Sequence, residues 1–325
     1  MSDRLIRRIA IIGTGVIGAS WTALFLSKGL EVIATDVAPD AEAALKRFVK
    51  AAWPALERLG LAPRASQSRL TFTKDLPAAV KNADLVQENG PERIDFKKTL
   101  YRQLDELLPA DVIIASSSSG LTMSAIQSAC PLHPERCVIG HPFNPPHLVP
   151  LVEIVGGAKT SEDTIRRAID FYTGLGKQAV RLRKEVPGHV ANRLQAALAR
   201  EVYYLVAEGV VSVTDVDKAL CWGPGLRWGI MGNVMLNHLG GGPGGIEHFF
   251  EQFTGPMTAW WKTLGSPELT PAVRQKLIAG LREEVGSRSI AELEAERDEV
   301  LLRLLEARRE VEKTPAATKS AAAAD

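Results

Sequence analysis

Arg8-Ile-Ala-Ile-Ile-Gly13-Thr-Gly15-Val16-Ile17-Gly18 decides how the rest of the chain is read. The segment before Gly13 is a short apolar run, the pattern of a strand buried on both faces. Gly13 permits a tight turn, Gly15 lets backbone come close to a pyrophosphate, and Gly18 lets the next helix pack on the strand. Val16 and Ile17 open that helix, whose N-terminal amides face phosphate oxygens. An apolar helical run with Ala19, Ala23, Leu24 and Leu26 continues to Gly29, and a second strand, Glu31-Val-Ile-Ala-Thr35, ends beside Asp36.

A carboxylate at that strand end accepts hydrogen bonds from both ribose hydroxyls of adenosine and repels a 2′-phosphate, so NAD is the expected cofactor. The plain alternative is a glycine-rich turn that binds nothing. Against it stand the strand before, the helix after and the acid closing the next strand.

The surrounding sequence alternates strand and helix. Apolar runs predict strands at 70–73, 84–88, 112–115, 137–140, 148–155 and 179–182, with helices at 41–59, 76–80, from residue 92, and at 161–173. This alternation predicts an α/β fold, a Rossmann-type doubly wound parallel sheet over residues 1–187. From Val190 the pattern becomes helices joined by glycine-rich loops, which predicts an all-helical C-terminal domain over 188–313. Ser289-Ile-Ala-Glu292 is a capping box that opens its last, charged helix. Residues 314–325, alanine-rich and polar, are expected to form a disordered tail.

The chain has 325 residues, with 39 Lys and Arg against 38 Asp and Glu. That length suits two domains, and the balance gives no electrostatic footprint for nucleic acid or an anionic membrane. Cys130, Cys137 and Cys221 have no metal-ligand spacing, so no metal is expected. They read as thiols in a reducing cytoplasm. No apolar run approaches the ~20 residues of a membrane span, and the short N-terminus leaves no room for a signal peptide. A soluble cytoplasmic protein with a small-molecule substrate is the expectation.

The candidate chemistry lies between Ser119 and Asn192. His141 ends a strand beside a proline-rich turn, and Glu153 sits in the otherwise apolar Leu148-Val-Pro-Leu-Val-Glu153-Ile-Val155. A carboxylate there needs a partner. A histidine is the obvious one, because the carboxylate orients the imidazole and raises its basicity. Glu153 facing solvent on an edge strand is the bland reading. Ser119 follows the carboxyl end of a strand, where ligands bind in open α/β sheets. Asn192, in Pro187-Gly188-His-Val-Ala-Asn192-Arg193, opens the second domain.

Together these residues resemble the L-3-hydroxyacyl-CoA dehydrogenase family. The matching motifs are Gly13-x-Gly15-x-x-Gly18, Ala115-Ser116-x-x-Ser119, His141-Pro-Phe-Asn144-Pro, Leu151-Val-Glu153 and Pro187-Gly188-x-Val-x-Asn192-Arg-Leu. The resemblance implies a catalytic His141–Glu153 dyad, a Ser119 that contacts substrate and cofactor, and a substrate-positioning Asn192. It also implies cofactor contacts at Glu92 and Lys97, and a homodimer through the helical domain.

Within the family, Gly225-Leu-Arg227-Trp228-Gly-Ile-Met-Gly232 is similar to the branch acting on free 3-hydroxy acids, the L-carnitine and L-gulonate dehydrogenases. The serine and lysine that hold CoA in acyl-CoA members fall, by ungapped count, on Ala52 and Leu59. Arg227 is a bidentate candidate for a substrate carboxylate, or else a partner in a local salt bridge. Trp228 is an aromatic candidate for a trimethylammonium group, or else core. His189 before Val190 and the Pro145-Pro146-His147 run depart from the branch pattern. The implied function is NAD-dependent oxidation of a free L-3-hydroxy acid, with L-carnitine first and L-gulonate second. An acyl-CoA dehydrogenase and a crystallin-like dinucleotide-binding scaffold are the alternatives.

Overall fold

The computed structural model describes residues 5–313; the 314–325 segment read as a tail lies outside them. The first part of the chain runs β1 (Arg8–Ile12), α1 (Val16–Ser27), β2 (Glu31–Thr35), α2 (Ala41–Arg58), β3 (Leu70–Thr73), α3 (Leu76–Val80) and β4 (Leu85–Glu88). It continues through α4 (Ile94–Leu107), β5 (Ile113–Ser116), α5 (Met123–Gln127), β6 (Cys137–Pro142), β7 (Leu151–Gly156), α6 (Glu162–Gly174) and β8 (Gln178–Leu182). The eight strands form one sheet in the order β3-β2-β1-β4-β5-β6-β7-β8.

β1 pairs in parallel with both β2 and β4, so the strand order reverses there and opens a crevice beyond their carboxyl ends. Apolar strands are covered on both faces, as their composition requires. One core gathers Trp21, Phe25, Leu45 and Tyr172; the other gathers Tyr101, Leu104, Met123 and Ile126. Helix α1 is buried from Gly18 to Ser27, with the Trp21 and Phe25 rings stacked at 5.2 Å. Each such side chain contributes about 1.5–3 kcal/mol by leaving water.

The sheet departs from the expected all-parallel form at one place. β7 runs antiparallel to β6, and β8 is parallel to β7. The link between β6 and β7, residues 143–150, holds no helix. Without a crossover the chain can only turn back beside itself. The link is fixed from beneath. Lys177 donates to the Pro146 and Val149 carbonyls. The His147 amide donates to the Ser20 hydroxyl at 2.8 Å, and that hydroxyl meets His147 Nδ1 at 2.7 Å.

The remaining helices are α7 (Ala191–Ala207), α8 (Val213–Trp222), α9 (Pro224–Trp228), α10 (Asn233–Gly240), α11 (Gly245–Trp261), α12 (Pro271–Val285) and α13 (Ile290–Lys313). Ser212, Thr270 and Ser289 cap α8, α12 and α13 through their side-chain oxygens. Glu292 returns the Ser289 bond at 2.7 Å and completes the capping box.

The chain divides into two compact units: the described residues up to Asn192 together with those from Glu294, and residues 193–293. In the first unit, Arg58 of α2 reaches Glu299 at 2.6 Å and Glu306 at 3.0 Å on α13, and Leu302 is buried. In the second, the buried large apolar residues are Val206 and Val216. No helix among the described residues is long and apolar enough to cross a membrane.

Candidate active site

The turn after β1 is shaped by three glycines in three different ways. Gly13 has φ +81°, and a Cβ on it would stand 2.7 Å from the Asn89 carbonyl oxygen. A Cβ on Gly18 would stand 1.9 Å from the Gly13 carbonyl oxygen. A Cβ on Gly15 would meet nothing within 4 Å. Gly13 and Gly18 are therefore demanded by the fold itself. The room beside Gly15 lies at the start of α1, with Val16 exposed and Ile17 half-buried behind it. That is where backbone amides and the helix dipole receive an anion.

Asp36 closes the cradle. Its Oδ2 accepts from the Thr14 amide at 2.7 Å and the Thr14 hydroxyl at 3.1 Å, and its Oδ1 accepts from the Ala38 amide at 3.0 Å. Partial burial raises its pKa, but these bonds outweigh burial and hold the carboxyl below its usual range. An ionised acid beside an open glycine turn fits a dinucleotide whose ribose is unphosphorylated.

His141 and Glu153 face each other as a cross-strand pair of β6 and β7. The hairpin sets residues twelve apart directly opposite. His141 Nδ1 lies 2.8 Å from Glu153 Oε2, and both side chains are buried. A carboxylate only accepts, so Nδ1 carries the hydrogen and Nε2 presents its lone pair. Glu153 Oε1 accepts from the amides of Val190 at 2.8 Å and Ala191 at 3.0 Å, at the start of α7. Burial raises the Glu153 carboxyl, but the His141 bond and the two amides outweigh it and keep the acid below its normal range.

Ser119 is exposed just past β5. Asn192 Nδ2 donates to the Ser119 carbonyl at 3.1 Å, so the structure brings these two candidates together. Glu92 braces the same loop, accepting from the Ser118 hydroxyl at 2.7 Å, the Gly120 amide at 2.8 Å and the Leu121 amide at 3.2 Å. Burial raises the Glu92 carboxyl, yet these donors and Lys97 leave it lowered.

Lys97 belongs to the same network. It is fully buried, donates to both Glu88 carboxylate oxygens at 2.8 Å, and stands 3.9 Å from Glu92. Glu88 also accepts from the Ser116 hydroxyl at 2.6 Å and the Gly90 amide at 2.6 Å. Sequence reasoning passed over Glu88, a carboxylate at the end of an apolar strand, where Glu153 was singled out as a carboxylate within one. His189, marked in the sequence only as a departure from the branch pattern, is buried with its ring 5.1 Å from that of His141. Arg227 and Trp228 lie in α9 of the second unit, both exposed, and Arg227 makes no ion pair among the described residues.

The glycine turn at the switch point, closed by Asp36, defines a dinucleotide-binding protein of the Rossmann class. The chain belongs to the 3-hydroxyacyl-CoA dehydrogenase family: the family's NAD binding domain matches residues 8–186 and its C-terminal domain matches residues 188–266. NAD is its cofactor and the protein is an oxidoreductase. Among its relatives, the L-carnitine dehydrogenase of Streptomyces griseus is 47% identical over 93% of this chain and 90% of its own length. That of Pseudomonas putida is 48% identical over 93% of this chain and 94% of its own. The solved structure of 5-formyl-3-hydroxy-2-methylpyridine 4-carboxylic acid 5-dehydrogenase, an NAD-dependent dismutase, is 32% identical. It superimposes with a TM-score of 0.81, covering 96% of this chain and 100% of that one.

Proposed function

We propose that the protein oxidises the 3-hydroxyl of a small free L-3-hydroxy acid to the 3-keto acid, with L-carnitine the first candidate and L-gulonate the second. The cross-strand His141–Glu153 pair carries the chemistry, and the relatives named L-carnitine dehydrogenase carry the choice of substrate. When bound, NAD would supply the acceptor for the C3 hydrogen and its electron pair. His141 Nε2 takes the hydroxyl proton, and the C–O bond becomes a carbonyl. Glu153 holds Nδ1–H and opposes the imidazolium charge, a task for which its depressed pKa suits it. Ser119 and Asn192 hydrogen-bond the substrate oxygen as it changes. A placed acid–base group of this kind contributes about 10²–10⁴-fold in rate.

Gly13, Gly15, Val16, Ile17 and Gly18 would hold the pyrophosphate of NAD and Asp36 its adenosine ribose, with Glu92 and Lys97 as further cofactor contacts and Glu92 ordering the loop of Ser119. Arg227 is assigned the substrate carboxylate and Trp228 a wall for the trimethylammonium group. Ala52 is buried, which supports a free acid over a CoA thioester. Residues 1–187 are assigned the cofactor, and 188–313 the substrate contacts and a homodimer interface. A cytoplasmic location follows from the same reading.

Absorbance at the NADH band, with NAD and a panel of L-carnitine, D-carnitine, L-gulonate, 3-hydroxybutyrate and L-3-hydroxybutyryl-CoA, tests the proposal. Turnover of L-carnitine above the other members is expected. Turnover of the thioester alone would overturn it.

A further inference from the structure

We propose that His189 is a positioning residue, one that ties the backbone entering Ser119 to the His141 ring. The inference rests on the reading of His141 and Ser119 above. His189 sits in the turn before α7 with φ +51°, the one non-glycine residue in the left-handed region among the described residues. It is 1% exposed. Its ring lies 5.1 Å from that of His141 at 51°.

Four consecutive residues then serve three parts of the site. His189 Nε2 bonds the Ser118 carbonyl at 2.9 Å. Val190 and Ala191 give their amides to Glu153. Asn192 bonds the Ser119 carbonyl at 3.1 Å. The peptide units on both sides of Ser119 are therefore held by residues 189–192, while its hydroxyl side remains exposed.

The state of the ring follows from its partners. A carbonyl only accepts, so Nε2 carries the hydrogen. Nδ1 is buried with no hydrogen-bond partner among the described residues. Protonating it would bury an unpaired N–H beside the group that takes the substrate proton. Burial opposes the charged form first. The Ser118 carbonyl favours it, a charged His141 opposes it, and Glu153 and Glu92 favour it; the balance lies below the ordinary histidine value. His189 is thus a neutral donor that leaves the proton on His141. A phenylalanine would fill the same space and leave the Ser118 carbonyl without its donor.

The test uses the full chain and two variants, His189→Phe and His189→Gln. The glutamine keeps an N–H at the reach of Nε2. In His189→Phe, kcat should fall about 10–100-fold, as loss of sub-ångström placement does, while KM and NAD affinity (read by tryptophan quenching) stay unchanged. His189→Gln should recover most of kcat. Full kcat in His189→Phe, or a glutamine no better than phenylalanine, would overturn the proposal. Nitrogen NMR of the imidazoles supplies a readout independent of turnover. One ring, absent in the variants, should show the neutral Nε2–H pattern at about pH 7 and above. A ring that titrates there, or carries its hydrogen on Nδ1, would overturn the inference even if no acid in the panel were oxidised.

Discussion

The sheet-bearing unit and the unit of residues 193–293 solve burial in opposite ways. In the first, buried charge is paired: Lys97 with Glu88, Arg136 with Asp105, His141 with Glu153. In the second, apolar side chains lie open, with Trp222 79% exposed, Trp260 62% and Trp261 64%. The first unit holds its dyad in place by buried hydrogen bonds, from His141 and from the Val190 and Ala191 amides to Glu153. The second keeps an apolar surface that a second copy of the chain is proposed to cover, because patches of this kind mark interfaces.

The largest effect expected from breaking the first unit is at the dyad. His141→Ala should lower kcat by about 10²–10⁴-fold, with NAD affinity unchanged by fluorescence titration. Next comes the other buried pair. Lys97→Met leaves the Glu88 carboxylate uncompensated, and removing one partner of such a pair costs about 3–5 kcal/mol. Urea unfolding should show this, and an unaltered midpoint would mean that the pair matters little.

A smaller effect is tied to pH. Burial lowers the His147 pKa from 6.5 to about 4, with Asp298 opposing and Lys177 and Arg297 assisting. Above pH 6.5 neither the folded nor the unfolded state holds this proton, so there is no effect. As pH falls toward 4 the unfolded state binds a proton that the folded state refuses, and up to about 3 kcal/mol of stability is lost. Stability measured at pH 7 and at pH 5 should differ less in His147→Leu than in the wild type; equal differences would assign the acid loss elsewhere.

The smallest effect falls on the second unit. Replacing Trp260 and Trp261 with serine should leave the fold of the single chain nearly unchanged, since positions exposed on it count within about 0.5 kcal/mol. It should shift the light-scattering mass from that of a dimer toward the 35.2 kDa chain. A wild-type protein already monomeric would remove the proposed interface.

Much of this was legible in the sequence, for reasons that differ by residue. The eight strands are apolar runs broken by glycine, proline or charge. Gly13, Gly15 and Gly18 announced the cradle through their spacing, and Asp36 through its place at a strand end. Glu153 stood out because a carboxylate in an apolar strand must be answered. The reversal of β7 was less visible, although the link over 143–150 is too short for a helical crossover. That reversal is what sets His141 opposite Glu153. Lys97, read as a cofactor contact, pairs most closely with Glu88 at 2.8 Å and stands 3.9 Å from Glu92, because a strand end two residues before Gly90 offers the nearer buried carboxylate. Nothing in the sequence marks His189 as left-handed, since that conformation is imposed by the turn into α7. In the second unit helices could be read from caps and periodicity, but periodicity does not tell that Trp260 stays 62% exposed.

The most direct measurement is kcat/KM for L-carnitine in wild type and His141→Ala side by side, at one pH and with saturating NAD. An imidazole that takes the hydroxyl proton predicts that the variant loses about 10²–10⁴-fold of the rate. A variant that keeps the wild-type rate would contradict the dyad.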